Sequence, residues 1–257
     1  MSTSTHWNAV SQHYKIGEPP LIPNQEVIDY FYQRVPQTAN ILMLGVTPLI
    51  ANAYDNVTAV DRELAMIESL WAGDSATRQA VNDNWLSVSL PNNQYSGVLG
   101  DGSINMLTDE QDVMALFERA LNWLKPGGYF VCRFFTRPNM PVTLEQLQTQ
   151  AINPTMNFSA FKRLLPAYIA EQTGNAWVTT KSMALLFNEL FPNRAVLPWD
   201  EFNLASIDKY ASGDGVTWFP NRQEVFDLVP KSAKHVQFVD VGTYDLAEHC
   251  PILEFAR

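Results

Sequence analysis

Ile41-Leu42-Met43-Leu44-Gly45-Val46-Thr47-Pro48 is an apolar run that ends in a glycine turn, and Val57-Thr58-Ala59-Val60-Asp61 is a second run that ends in an acid. Unbroken apolar runs, without in–out alternation, mark strands covered on both faces and therefore a parallel sheet flanked by helices. Residues 49–54 fit a short helix between the two runs, and 62–70 fit another, with Leu64, Ile67 and Leu70 together. Further on, 95–99 reads as a strand entering Gly100-Asp101-Gly102-Ser103. Residues 109–124 form an amphipathic helix in which Val113, Leu116, Phe117, Ala120, Leu121 and Leu124 recur at helical spacing. Pro126-Gly127-Gly128 should stop that helix, with a fifth strand over 129–135. A third strand is weakly signalled, at 79–81 or 86–88. This alternation predicts a doubly wound, Rossmann-like α/β sheet with right-handed crossovers.

Working outward, residues 1–36 read as a helical entry or lid segment. Trp7 and Tyr14 lie seven apart, Glu18-Pro19-Pro20-Leu21-Ile22-Pro23 interrupts regular structure, and Asn24 caps an expected helix over 25–34 with Val27, Ile28, Phe31 and Val35 on one side. Residues 37–136 form the core unit. Residues 137–230 break the rhythm with prolines and turn helical over 158–171 and 181–190, as expected of a mainly helical insertion. Residues 231–257 supply two last strands, about 235–242 and 250–256, for a seven-stranded sheet in all.

The net charge of −10 argues against a nucleic-acid substrate, whose phosphates need Lys and Arg to neutralise them. Lys162, Arg163, Lys231 and Lys234 are the only candidates for a basic groove and read as scattered solvated charges. Cys132 and Cys250 each sit in an apolar run, with no zinc spacing and no disulfide framework, as expected of reduced core residues in a cytoplasmic protein. Residues 1–6 lack a signal-peptide pattern, and no apolar run approaches the ~20 residues of a membrane span. The histidines are isolated, and neither a Gly-x-Ser-x-Gly elbow nor a Walker A sequence occurs.

The chemistry concentrates at the ends of the expected strands. Gly45 lets backbone approach a ligand closely, with Val46 and Thr47 continuing the turn. Asp61 can accept both hydroxyl protons of a ribose, or cap the helix that follows. Arg62 and Met66 would border an adenine. In Asn82-Asp83-Asn84-Trp85, Asn84 and Asp83 offer short polar side chains near a strand end, while Trp85 either stacks on a ligand ring or packs in the core. Asp101, with Gly102, either orients or deprotonates a second substrate, or belongs to a tight Asp-Gly turn.

Leu124-Lys125-Pro126-Gly127-Gly128 before an apolar strand, with Asp61 and the loop spacing, resembles class I S-adenosylmethionine (SAM)-dependent methyltransferases from about 40 to 135. The Leu44-Gly45-Val46-Thr47-Pro48 loop has one glycine where most of that family has several, and is similar to a subset of unknown substrate. The terminal hairpin matches the family pattern. The resemblance implies SAM as cofactor, S-adenosylhomocysteine (SAH) as product, methyl transfer to an unidentified small-molecule acceptor, and no metal. It also implies that Gly45, Val46, Thr47, Asp61, Arg62, Met66, Asp83, Asn84, Trp85, Asp101 and Gly102 surround the cofactor, with Asp101 nearest the acceptor.

Two rivals stand beside this expectation. A methyltransferase-like protein that holds SAM or SAH without turnover would use the same residues. A nicotinamide-dependent oxidoreductase is disfavoured by the absence of Gly-x-Gly-x-x-Gly spacing after the first strand. Nothing in the sequence speaks to the oligomeric state.

Overall fold

The apolar runs become the inner strands of a seven-stranded sheet. The structure, a computed structural model, describes residues 11, 12, 14, 15 and 17–257. Its strands are β1 (Asn40–Leu44), β2 (Asn56–Asp61), β3 (Arg78–Asn82), β4 (Tyr95–Asp101), β5 (Leu124–Arg133), β8 (Lys234–Val239) and β9 (Ile252–Ala256), in the order β3-β2-β1-β4-β5-β9-β8. β1 to β5 run parallel, and β9 is antiparallel to both β5 and β8. The order reverses between β1 and β4. In such sheets the crevice beyond the strands' carboxyl ends at that point is where ligands bind.

Helices cover both faces, which is why the strand sequences do not alternate. Ile41 and Met43 join Val27 and Phe31 of α1 (Gln25–Arg34) and Ile50 of α2 (Pro48–Ala53). Leu42 and Leu44 point the other way, to Val113, Leu116 and Phe117 of α4 (Glu110–Trp123), while α3 (Leu64–Leu70) follows β2. Each such apolar side chain contributes roughly 1.5–3 kcal/mol on burial. Phe130 and Phe255, partners in the β5–β9 register, stack at 4.6 Å, and Phe117 meets both edge-on. Asn24 caps α1 as expected, its Oδ1 accepting the Val27 N–H at 3.2 Å.

The sequence reading is corrected around β5 and at Cys250, and the third strand is the first of its two candidates. β5 starts at Leu124, directly after α4. Its pairing with β4 jumps from Tyr95↔Leu124 to Gly97↔Tyr129, so Lys125-Pro126-Gly127-Gly128 bulges out of the strand instead of separating helix from strand. The third strand is the 78–82 run, whereas Ser87 and Val88 donate their N–H groups to Asn84 O in a turn. Cys250 precedes β9; both cysteines are buried and free.

After β5 come α5 (Leu144–Ile152), α6 (Phe158–Thr173), α7 (Thr180–Leu190), α8 (Glu201–Asp208) and α9 (Arg222–Leu228), together with strands β6 (Trp177–Thr179) and β7 (Val216–Trp218). The β6–β7 pair has no counterpart in the sequence reading, because three-residue strands carry too little pattern. It is closed by Trp177 stacked on its register partner Trp218 at 5.4 Å. Leu147, Phe161, Leu165 and Phe187 share a core that reaches Phe135 just beyond β5. This brings the stretch over the carboxyl ends of the sheet. Among the described residues no helix is long and apolar enough to cross a membrane.

Candidate functional site

A cavity of about 230 Å³ opens at the reversal point. Its floor is the turn after β1. There Gly45 adopts φ +99°, which side-chain-bearing residues rarely reach, and donates its N–H to Val60 O at 2.8 Å. Gly45 lies beside Asp61, a Cβ there coming to ordinary contact distance, 3.8 Å, from Asp61 Oδ2, and both residues line the cavity. Val46 and Thr47 continue the lining, and Pro48 begins α2.

Asp61 closes β2. The Glu63 N–H donates to its Oδ1 at 2.9 Å, which holds the turn, whereas the helix that follows has Glu63 as its N-cap and no side-chain cap bond, so Asp61 does not cap it; Oδ2 faces Gly45. Burial pushes the Asp61 carboxyl up to about 6, against the lowering effect of the Glu63 N–H; the Glu63 charge adds to the rise and Arg62 opposes it. Arg62 lines the rim and pairs with Glu63 at 3.3 Å while about half exposed. Met66, Asn84, Trp85 and Leu86 complete this end. Trp85 packs against the core, the second of its two readings, and its Nε1 donates to Val60 O at 2.6 Å, fixing the indole at the cavity wall. Asn84 Oδ1 accepts the Leu86 N–H at 2.9 Å, which uses one of its two lone pairs. Asp83 does not line the cavity. It is exposed, and its Oδ1 accepts from the Asn84 N–H at 2.7 Å and from Ser87 Oγ, holding the turn.

The other end is built around Asp101. Arg133 Nε donates to Asp101 Oδ1 at 2.5 Å and Nη2 donates to Oδ2 at 3.1 Å, with both side chains almost fully buried. Arg133 also donates to Tyr244 Oη at 3.0 Å and to Pro20 O at 2.9 Å. Burial by itself would lower the Arg133 pKa, but the Asp101 charge and hydrogen bonds raise it above the usual guanidinium range. Asp101 thus lines the cavity as one half of a neutral pair. Gly102 adopts φ +66°, and a Cβ there would come within 3.1 Å of the Phe135 ring. Ser103 Oγ donates to Leu44 O at 2.7 Å, tying the β4 loop to β1. Asn105 Nδ2 donates to Phe135 O and Trp218 O at 2.8 and 2.6 Å, and its Oδ1 accepts the Phe135 N–H at 2.9 Å. Tyr14, from the entry segment, lines the cavity and donates to Thr47 Oγ1 at 3.4 Å. Trp7 and His13, the other residues expected in a lid, lie outside the described residues.

Two cations are not solvated as the sequence reading expected. Lys162 is buried on α6, donating to Ser206 Oγ at 3.3 Å and lying over the Tyr210 ring at 5.2 Å. Arg163 lines the cavity, with its guanidinium carbon 3.9 Å from the Phe135 ring centroid. Together with Glu63, Asn105 and Arg133, Arg163 is a site residue that sequence reasoning missed. A charged residue inside Val131-Cys132-Arg133-Phe134-Phe135, and another inside Phe161-Lys162-Arg163-Leu164-Leu165, were the available signals. Among the described residues no cluster of three or more His, Cys, Asp or Glu is placed to hold a metal ion.

No protein-family model matches the chain, and no curated protein matches it by sequence. Solved structures do match in shape. A Rhodobacter sphaeroides protein named for the Zn-dependent alcohol dehydrogenases superposes with a TM-score of 0.61 at 14% identity, covering 100% of this chain and 99% of that one. The CcbJ methyltransferase from Streptomyces caelestis gives 0.56 at 12% identity, covering 100% and 99%. A SAM-dependent methyltransferase from Methanosarcina mazei gives 0.53 at 12% identity, covering 89% and 96%. The structural neighbours are mostly SAM-dependent methyltransferases, and the chain has their class I fold: a Rossmann-like sheet with a terminal antiparallel pair. Identities this low establish the fold, and the activity has to be argued from the site.

Proposed function

We propose that the protein is a SAM-dependent methyltransferase acting on a small-molecule acceptor. The observation that carries this reading is Asp61: a half-buried carboxylate at the end of β2 that lines the cavity beside the Gly45 turn at the reversal point of the sheet. A ribose diol supplies the two donors such a carboxylate needs, and a ribose phosphate would be repelled. The walls suit the rest of a nucleoside. Met66, Trp85 and Leu86 offer flat and soft apolar surface, Asn84 keeps polar capacity, and Gly45, Val46 and Thr47 offer close backbone to an amino-acid tail.

Bound SAM would supply an electrophilic methyl carbon on a sulfonium, open to in-line attack by an acceptor lone pair. The chain's own residues then hold and exclude. Asp61 orients the ribose, and Gly102 and Ser103 allow close approach beside β4. The Asp101–Arg133 pair forms a rigid polar wall in which Asp101 orients the acceptor without a free charge, and Tyr14 with the elements after β5 limits water. Alignment of this kind can account for several kcal/mol of barrier lowering. A reducing, cytoplasmic setting agrees with the two buried free thiols.

Calorimetric titration of the purified protein with SAM and SAH, with NAD as control, tests the proposal. Micromolar binding of the first two alone is the expected result, followed by SAH formation with a small-molecule acceptor panel. Binding of NAD and not of SAM would overturn it, and SAM binding with no turnover on any acceptor would reduce the protein to a SAM-binding module.

A further inference from the structure

Arg163 is the one cavity-lining cation of the acceptor end without a counter-charge among the described residues. Arg133 is neutralised by both oxygens of Asp101. The guanidinium of Arg163 is enclosed by protein, its Nε is buried with no hydrogen-bond partner, and no carboxylate lies within ion-pair distance of it. Its closest recorded company is the Phe135 face, which supports a cation but does not satisfy its N–H groups. The residue keeps some accessible surface despite this enclosure, as expected of a side chain that faces an internal cavity. Lys162, next in sequence, adds a second buried positive charge, and its neighbours Ser206 and Tyr210 carry no obligatory negative one. Burial alone would raise the Tyr210 pKa, yet Lys162 and Arg163 lower it, which reports a positive local potential. A buried charge left without a partner is among the costlier arrangements in a protein. Here the cavity is the direction from which a partner can come.

We infer that Arg163 receives a carboxylate carried by the methyl acceptor, so that the substrate is a small organic acid with an apolar body; this rests on the methyltransferase reading. A single guanidinium balances a single negative charge and offers the planar fork that a carboxylate matches. The apolar body follows from Met106, Leu107 and Phe135, which line the same end. The amino-acid tail of the methyl donor also ends in a carboxylate and is the competing source. Position favours the acceptor. Arg163 comes from α6, beyond β5, and also borders a second, smaller hollow among Phe135, Pro138, Leu164 and Phe219, none of which belongs to the β1 or β2 turns.

The test is calorimetry on the full chain, wild type, Arg163→Leu and Arg163→Lys, titrated with SAH and methylthioadenosine, then with benzoate and phenylacetate, with benzamide and phenylacetamide as uncharged controls. The acids are titrated both with and without SAH. Expected are acid binding to the wild type, weakened by about tenfold to a hundredfold in Arg163→Leu and partly restored in Arg163→Lys, with SAH affinity unchanged. Arg163→Leu without ligand should also melt higher than wild type, since an unpaired buried charge is removed. If SAH weakens in Arg163→Leu while methylthioadenosine, which lacks the amino-acid end, does not, Arg163 holds the donor's carboxylate and the inference is overturned with the cofactor reading intact. Amides binding as well as acids, no acid binding, or a lower melting point would overturn it too. Failure of SAH to bind wild type would instead remove the cofactor reading, and Arg163-dependent acid binding without SAH would still uphold the anion site.

Discussion

Asp101 and Arg133 are register partners across β4 and β5 and close a two-bond buried ion pair in which Asp101 lines the cavity and Arg133 lies behind it. Because the pair is dry, its two halves are unequal to lose. Asp101→Ala leaves a guanidinium buried beside Tyr244 and Pro20 with its charge uncompensated, and should cost about 3–5 kcal/mol of stability. The double variant Asp101→Ala/Arg133→Leu should cost clearly less than Asp101→Ala alone. Urea unfolding of the three proteins checks this, and a double variant worse than the single would show that Arg133 serves mainly through its other hydrogen bonds.

Asp61 gives a pH signature. Its folded carboxyl is pushed up to about 6, above the unfolded value, so the folded state holds a proton that the unfolded state releases. Stability of the ligand-free protein therefore falls as pH rises from about 4 to about 6, by up to about 3 kcal/mol. Asp61→Asn should remove this dependence and raise stability at neutral pH. The same change should weaken SAH by about 1–3 kcal/mol, because a charge-assisted acceptor is lost. Thermal melts across pH, paired with SAH titration, separate the two effects. Identical melting profiles for wild type and variant would place Asp61 in a wetter setting than its burial indicates.

How far the sequence carried the argument can be seen residue by residue. β1 and β2 were legible because both of their faces are buried, which leaves an unbroken apolar run, and Asp61 was legible as the acid that ends such a run, a place where it can both hold the turn and face a ligand. Asp101 was visible but its partner was not, since parallel register joins residues far apart in sequence and no local pattern encodes it. Lys125-Pro126-Gly127-Gly128 has the composition of a helix stop, and only the pairing of Leu124 with Tyr95 makes it a bulge. Asp83 and Asn84 were indistinguishable in sequence; the turn they form points one at the cavity and uses the other as its cap. Arg163 was read as solvated because a charge on a helix usually is, and burial of the first half of α6, on both sides of Arg163, overrides that prior.

Gly45→Ala isolates the turn after β1. Alanine at φ +99° is strained by about 1–3 kcal/mol, and relief of that strain would shift the turn that lines the cavity beside Asp61. The expected result is a modest loss of stability with a disproportionate loss of SAH binding. Equal SAH affinity after correction for stability would show that the ligand does not cross this turn.

Asn105 offers the last prediction, because it is a structural clamp inside the site. One side chain meets Phe135 through both its N–H and its carbonyl and reaches Trp218 O, so it holds the β4 loop, the end of β5 and strand β7 together. Asn105→Ala strands one buried donor and two buried carbonyls, and should cost about 2–4 kcal/mol. The damage should be local first: amide exchange in β6 and β7 should quicken more than in β1 or β4, because Trp218 loses one of the pair's tethers, leaving the Trp177 Nε1 bond to Leu107 O and the Thr217 bond to Asn105 O, while the inner strands keep all of theirs. Phe135 would loosen with it and carry Arg163 along, so acceptor turnover should drop while SAH affinity, set at Asp61 on the opposite side of the cavity, stays near the wild-type value. Uniform acceleration of exchange across the sheet would show that Asn105 supports the whole fold and not this corner of it.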